Sequence, residues 1–152
     1  MATIRLQRED FDVAAEQRLL SQGREDVGAV VTFTGICRGG EGKAAIAAMT
    51  LEHYPGMTEK QLAEIEAEAH RRWPLDAVLI IHRYGELKPG DRIVLVATAS
   101  SHRDAAFDSC RFMIDWLKTK APFWKLEATD AGSHWVEAKE SDDAAADRWR
   151  QS

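Results

Sequence analysis

Residues 77–100, AVLIIHRYGELKPGDRIVLVATAS, decide the fold class. Two apolar, β-branched runs, 77–87 and 92–100, flank the turn sequence Lys88-Pro89-Gly90-Asp91. Strands joined by so short a turn pair antiparallel, whereas a parallel pair needs a crossover of about a dozen residues or more. The stretch therefore predicts a hairpin and argues against a doubly wound parallel sheet.

Working outward, 3–7 reads as a short edge strand, 28–35 as a buried strand and 44–54 as another. WKLEAT and SHWVEA, around Asp130-Ala131-Gly132, predict a last hairpin. Three helices are expected. One runs from Asp12 to about Gln22, with Gly23 as its stop. A second starts at Thr58, where Thr58 and Gln61 have capping-box spacing. It carries the stripe Leu62, Ile65, Ala69, Trp73 and ends at Pro74. A third spans about 101–119, with Pro122 beyond it. The order β-α-β-β-α-β-β-α-β-β places the chain in the α+β class. Its 152 residues read as one domain, 1–152, in which 142–152 is either a last helical turn or frayed, flexible tail.

Composition excludes several classes. Apolar residues are 45% and charged residues 30% of the chain, a globular profile. No apolar run approaches the ~18 residues of a membrane span, and MATIRLQRED has no apolar signal region. Cys37 and Cys110 lie far apart with no CxxC pair. Neither a disulfide framework nor a zinc site is expected, and a reducing cytoplasm fits. Five histidines show no HxxxH or HxH spacing, so no metal or cofactor is expected. A net charge of −5 argues against a general nucleic-acid binder, but not against a local cationic pocket.

LKTKAPFWK, 117–125, is such a locality. On a helical projection Phe107, Cys110, Ile114, Leu117 and Ala121 share a face. Lys118 borders it, about 20° from Phe107, while Lys120 points toward Met113 and Trp116. Lys118 is thus expected to be semi-buried, available to an anion or for proton transfer. Equally, Asp115 could pair with it at the surface. Lys125 alternates with Trp124 and Leu126 at strand spacing, and on its own reads as solvent-facing. Ser100–Asp104 joins a strand to a helix start, where unpaired N–H groups favour anions and His102 and Arg103 add donors. Ser100 or Ser101 reads as the N-cap. GICRGGEGK lacks the Lys-Ser/Thr and following helix of a P-loop, leaving a loop with Arg38 at its base. Cys37 could be a thiolate beside Arg38, or simply a small loop residue. Cys110, on the apolar face, reads as core.

GAVVTFTGICR, LEHYPGMTEKQL, RWPL, IHRYGEL, PGD, SSHRDAAF, LKTKAPFWK and WVEAKESD, in that order, resemble the large, catalytic subunit family of molybdopterin synthase, the MoaE family. The resemblance covers most of the chain from about Asp26 to Trp149, and EHYPGM with KxAPFWK is its specific signal. It implies an α/β hammerhead with an added small antiparallel β-subdomain. It also implies a sulfurtransferase that converts cyclic pyranopterin monophosphate into molybdopterin. The sulfur would arrive as the C-terminal Gly-Gly thiocarboxylate of a small ubiquitin-like subunit, within a heterotetramer built on a homodimer of this chain. Carried over by motif, the catalytic positions are Lys118 and Lys125. The substrate-binding positions are Ile36, Cys37, Arg38, His102, Arg103, Lys118, Lys125, Leu126 and Glu127. The chain departs from the family pattern at Ile36 or Cys37, where a basic residue is usual, and at Lys139, where arginine is common. Two other functions compete: a non-catalytic module binding a phosphorylated heterocycle or a ubiquitin-like tail, and a Cys37 persulfide carrier.

Overall fold

The 77–100 hairpin forms, but its first strand divides. The computed structural model describes residues 3–39, 46–121, 123–129, 132–136 and 140–150. Its elements are β1 (Ile4–Gln7), α1 (Val13–Ser21), β2 (Ala29–Ile36), β3 (Ile46–His53), α2 (Met57–Arg72) and β4 (Ala77–Arg83). Then follow β5 (Gly85–Leu87), β6 (Arg92–Ser100), α3 (Arg103–Lys120), β7 (Phe123–Thr129), β8 (Gly132–Val136) and α4 (Glu140–Asp147). β4 pairs antiparallel with β6 as expected. At Tyr84–Gly85 the chain leaves that sheet, and β5 pairs with β3 instead. Gly85 makes the exit possible. Its φ of 90° suits glycine, and a Cβ there would lie 2.8 Å from the Arg8 guanidinium.

Two four-stranded sheets result, ordered β1-β4-β6-β2 and β5-β3-β7-β8. The first has one parallel pair, β1 with β4, and the second is antiparallel throughout. This is the α+β class with a small antiparallel sheet. The first sheet is covered on both faces, which is why β4 and β6 read as continuous apolar runs. Val78, Ile80, Val94 and Val96 pack against Leu62, Ile65 and Ala69 of α2 and Phe112, Met113 and Leu117 of α3. Leu79, Ile81, Leu95, Ala97 and Ala99 pack on the other side with Phe11 and Leu20.

Three local expectations are corrected. α2 starts at Met57 rather than Thr58. Glu59 satisfies the Gly56 N–H, and Thr58 is fully buried, bonded through Oγ1 to both backbone groups of Tyr54. The residue flanking α3 is His102, not a serine. Ser100 Oγ donates to the Pro74 carbonyl at 2.8 Å and Ser101 Oγ to the Asp26 carbonyl at 3.2 Å. The buried arc of α3 is rotated from the projected one, to Ala106, Ser109, Cys110, Phe112, Met113 and Leu117, while Phe107 is 60% exposed. The cause is lateral. α3 packs against the sheet, α2 and α4 together, and the small Ala106 and Ser109 let it sit close to β6, where Thr98 Oγ1 donates to the Ala106 carbonyl at 2.7 Å.

Asp115 is held elsewhere than the sequence suggests. Its carboxylate accepts the Trp149 indole N–H at 2.6 Å, and Trp149 packs edge-on to Trp73 and Phe112. The segment after α4 is tied back onto α3 by this indole.

Candidate functional site

α3 carries one group of candidate residues at each end. The register of the first sheet shows which other residues belong to which end. Ala29 of β2 faces Ser100 of β6, and Gly28 N–H donates to the Ser100 carbonyl at 2.9 Å. At the far end, Gly35 and His82 both face Val94, and Ile36 faces Arg92. Six residues of β6 separate the two levels, about 20 Å at strand rise.

The first group is His102 and Arg103, both exposed. With Gly28, Ser101 and Asp104 they line a depression of about 480 Å³ at the start of α3. A Cβ on Gly28 would lie 2.1 Å from the Ser101 carbonyl oxygen, so only glycine fits this wall. The His102 side chain makes no capping hydrogen bond to the helix. The positive end of the helix dipole, with an arginine and a histidine on it, suits an anion, although Asp104 moderates it.

The second group lies at the other end of α3, where Lys118 and Lys120 occupy the last turn and favour the negative end of the dipole. Lys118 is exposed rather than semi-buried, because the helix is rotated. Lys120 lies over the Trp116 ring at 4.7 Å, the side expected for it. After Ala121 and Pro122 the chain enters β7, whose register with β3 pairs Phe123 with His53, Trp124 with Glu52 and Lys125 with Leu51. Side chains alternate along a strand, and directly paired residues share a face. Lys125 therefore lies on the face of Leu51, His53 and Phe123, and Trp124, 47% exposed, on the opposite one. Lys125 is half-buried, so its solvent-facing reading does not hold. Leu126 and Glu127 continue β7 in backbone register with Thr50 and Met49.

His82 lies near Lys118 and against the start of β7. Only 5% exposed, it stacks on Phe123 with ring centroids 3.8 Å apart and planes 14° from parallel. Its Nδ1 lies 2.8 Å from the Arg83 carbonyl, so in the neutral ring Nδ1 carries the proton and donates. Burial pushes the imidazole down to about 4 against that carbonyl's pull, and the nearby charges of Lys118 and His53 act in the same direction as burial. Lys118 and Lys125 thus approach one seam between the two sheets, with a neutral His82 and Phe123 beneath it. His82 was not among the residues expected from sequence. The available signal was a histidine inside the apolar run AVLIIHR, since a polar residue at a buried strand position needs a reason.

Ile36, Cys37 and Arg38 follow β2 at this same end. Ile36 is 56% exposed at a bulge, Cys37 is 2% exposed and Arg38 is exposed. Cys37 N–H donates to the Asp91 carbonyl and its carbonyl accepts from Gly90 N–H, both at 2.8 Å. Its side chain clusters with Met49, Leu51 and Leu87. Residues 40–43 of the glycine-rich loop, residues 44–45 of the strand expected over 44–54, and Lys139 lie outside the described residues. Within one chain the site residues implied by the resemblance therefore form two separated groups. His102 and Lys118 stand 16 helical residues apart, about 24 Å along the axis.

A family model described as "MoaE protein" matches residues 6–120. A "Molybdopterin synthase catalytic subunit" of Mesorhizobium japonicum is 56% identical over 152 residues, spanning 99% of this chain and 94% of the relative. The solved "Molybdopterin biosynthesis MoaE protein" of Burkholderia ambifaria superposes with a TM-score of 0.82 at 54% identity, covering 98% of each chain. A Helicobacter pylori structure, described as a complex of subunits 1 and 2 of molybdopterin-converting factor, shares the fold. Its TM-score is 0.73 at 20% identity, covering 91% of this chain and 92% of that one.

Proposed function

This chain belongs to the MoaE family, and from that premise we propose that it is the catalytic subunit of a molybdopterin synthase. It transfers sulfur from the C-terminal thiocarboxylate of a small ubiquitin-like subunit to cyclic pyranopterin monophosphate, forming the dithiolene of molybdopterin. The observation that carries the reading is the approach of Lys118 and Lys125 to the same inter-sheet seam, at the end of the fold that also holds Arg38.

The thiocarboxylate sulfur attacks a substrate carbon as the C–O bond there breaks, its oxygen leaving protonated, and the acyl–sulfur bond is then hydrolysed. Water supplies the oxygen that returns the partner's tail as a carboxylate, and the sulfur stays on the substrate. A second donor repeats the cycle. Lys118, exposed at the mouth of the seam, can give or take a proton at the reacting carbons or stabilise the acyl oxyanion. Lys125, half-buried on Phe123's face, can hold substrate charge beside it. Arg38 suits the cyclic phosphate, with Ile36, Cys37, Leu126 and Glu127 as further substrate-binding positions.

His102 and Arg103 cannot reach Lys118 of their own chain across about 24 Å. Two copies can complete one site. In a twofold dimer the start of α3 in one copy can face the end of α3 in the other, so each site draws His102 and Arg103 from its neighbour. One small subunit at each end of that dimer gives the heterotetramer. No described helix is long and apolar enough to cross a membrane. Two cysteines with no CxxC pair support a reading in which the reaction runs in the cytoplasm.

The test is reconstitution. Purified protein, thiocarboxylated small subunit and cyclic pyranopterin monophosphate should give dithiolene product. Binding of both without product would point instead to a non-catalytic module.

A further inference from the structure

The two lysines sit on different elements, Lys118 on a helix end and Lys125 on a strand of the second sheet, so something must set their relative position. α3 stops at Lys120 and β7 starts at Phe123, and among the described residues Phe123 N–H donates to the Ala121 carbonyl at 2.9 Å. Side chains make a further contact. A line of rings crosses from one sheet to the other: His82 on Phe123 at 3.8 Å, Phe123 near His53 at 6.3 Å and His53 against Tyr84 at 4.7 Å. Arg8 covers Tyr84 at 4.8 Å and closes the line at the edge of the first sheet. Phe123 is five residues after Lys118 and two before Lys125, on Lys125's own face, so fixing its ring fixes the start of β7 against β4.

We propose that His82 is a positioning residue for sulfur transfer, its ring face clamping Phe123 so that Lys118 and Lys125 keep their spacing across the α3–β7 joint. The inference rests on the sulfur-transfer reading above and adds to it a residue that touches neither substrate nor partner tail. The stack carries the role, and the Nδ1–H···O bond to Arg83 orients the ring. The neighbouring charges are Lys118 on α3 and His53 on β3, and a neutral ring adds no repulsion to either.

Two substitutions separate the ring from its hydrogen bond. His82→Phe keeps a flat face for Phe123 and loses the donor, whereas His82→Asn keeps an N–H donor for the Arg83 carbonyl and loses the ring. Each is compared with wild type and Lys118→Ala in the reconstituted reaction. His82→Phe should stay within about threefold of wild-type kcat. His82→Asn should lose about tenfold or more in kcat with KM for cyclic pyranopterin monophosphate little changed, the mark of misplaced groups rather than lost binding. A second readout needs no turnover: ¹³C-dimethyl signals of Lys118 and Lys125, observed by NMR in the folded protein, should match wild type in His82→Phe and move in His82→Asn. If both variants behave as wild type in both readouts, if Asn outperforms Phe, or if both lose activity equally, the clamp is wrong. Should wild type itself give no product, the sulfur-transfer reading fails, and the lysine signals still decide whether His82 positions the pair.

Discussion

The imidazole of His82 in the first sheet lies face to face on the ring of Phe123 in the second, 3.8 Å between centroids, two residues before Lys125.

Its burial makes stability pH-dependent in a defined direction. The folded pKa is about 4, below the ordinary 6.5, so His82 contributes stability that is fully present above 6.5 and lost as pH falls through 4. The loss should be on the order of 3 kcal/mol. Urea denaturation at pH 7 and pH 4.5 should show the drop in wild type and a markedly smaller one in His82→Phe. Parallel pH dependence in both proteins would assign the effect to other groups.

Lys118→Ala should lower product formation by about 10²–10⁴-fold, the range for removing a positioned acid–base group. The side chain is exposed and its helix-end charge is worth only about 0.3–1 kcal/mol, so thermal unfolding should move by a few degrees at most. Normal turnover by the variant would remove Lys118 from the mechanism.

If each site takes Arg103 from the neighbouring copy, two dead variants should rescue each other. Lys118→Ala and Arg103→Ala homodimers should each be nearly inactive. After subunit exchange half the dimers are mixed, and each mixed dimer holds one intact site of two, so about a quarter of wild-type activity should return. No recovery, with exchange verified by native mass spectrometry, would show that Arg103 does not complete the neighbouring copy's site.

Neither cysteine should carry sulfur. Cys110 is buried with its thiol pushed up to about 12, Sγ directed at the Val96 carbonyl 3.7 Å away, and Cys37 is 2% exposed. Iodoacetamide at pH 8 should label both only after denaturation, and Cys37→Ser should still form dithiolene product. A Cys37 persulfide found during turnover would reverse this.

Much of the fold could be read in the residues because its signals are local. The turn Lys88–Asp91, the helix flank Asp12, and the stripe Leu62, Ile65, Ala69 each act within a few residues, and each forms as expected. The family motifs likewise identified which lysines and arginines to examine. Where expectation failed, a distant partner decided. Projection places Phe107 and Cys110 on one face of α3 but does not say that the sheet, α2 and α4 all press on that helix, which turns Phe107 out and exposes Lys118. Alternation separates Trp124 from Lys125 but does not say which of them looks inward. That follows from the register with β3, where Leu51 stands opposite Lys125.

By itself, then, the sequence determined the α+β class, the hairpins and the identity of the candidate lysines, since periodicity, turns and motifs are properties of neighbouring residues. Tertiary structure alone decided that the chain leaves one sheet at Gly85 and joins another. It also set His82 against Phe123, near Lys118. Each of these depends on packing between segments tens of residues apart, and no local pattern encodes which buried surface will meet which.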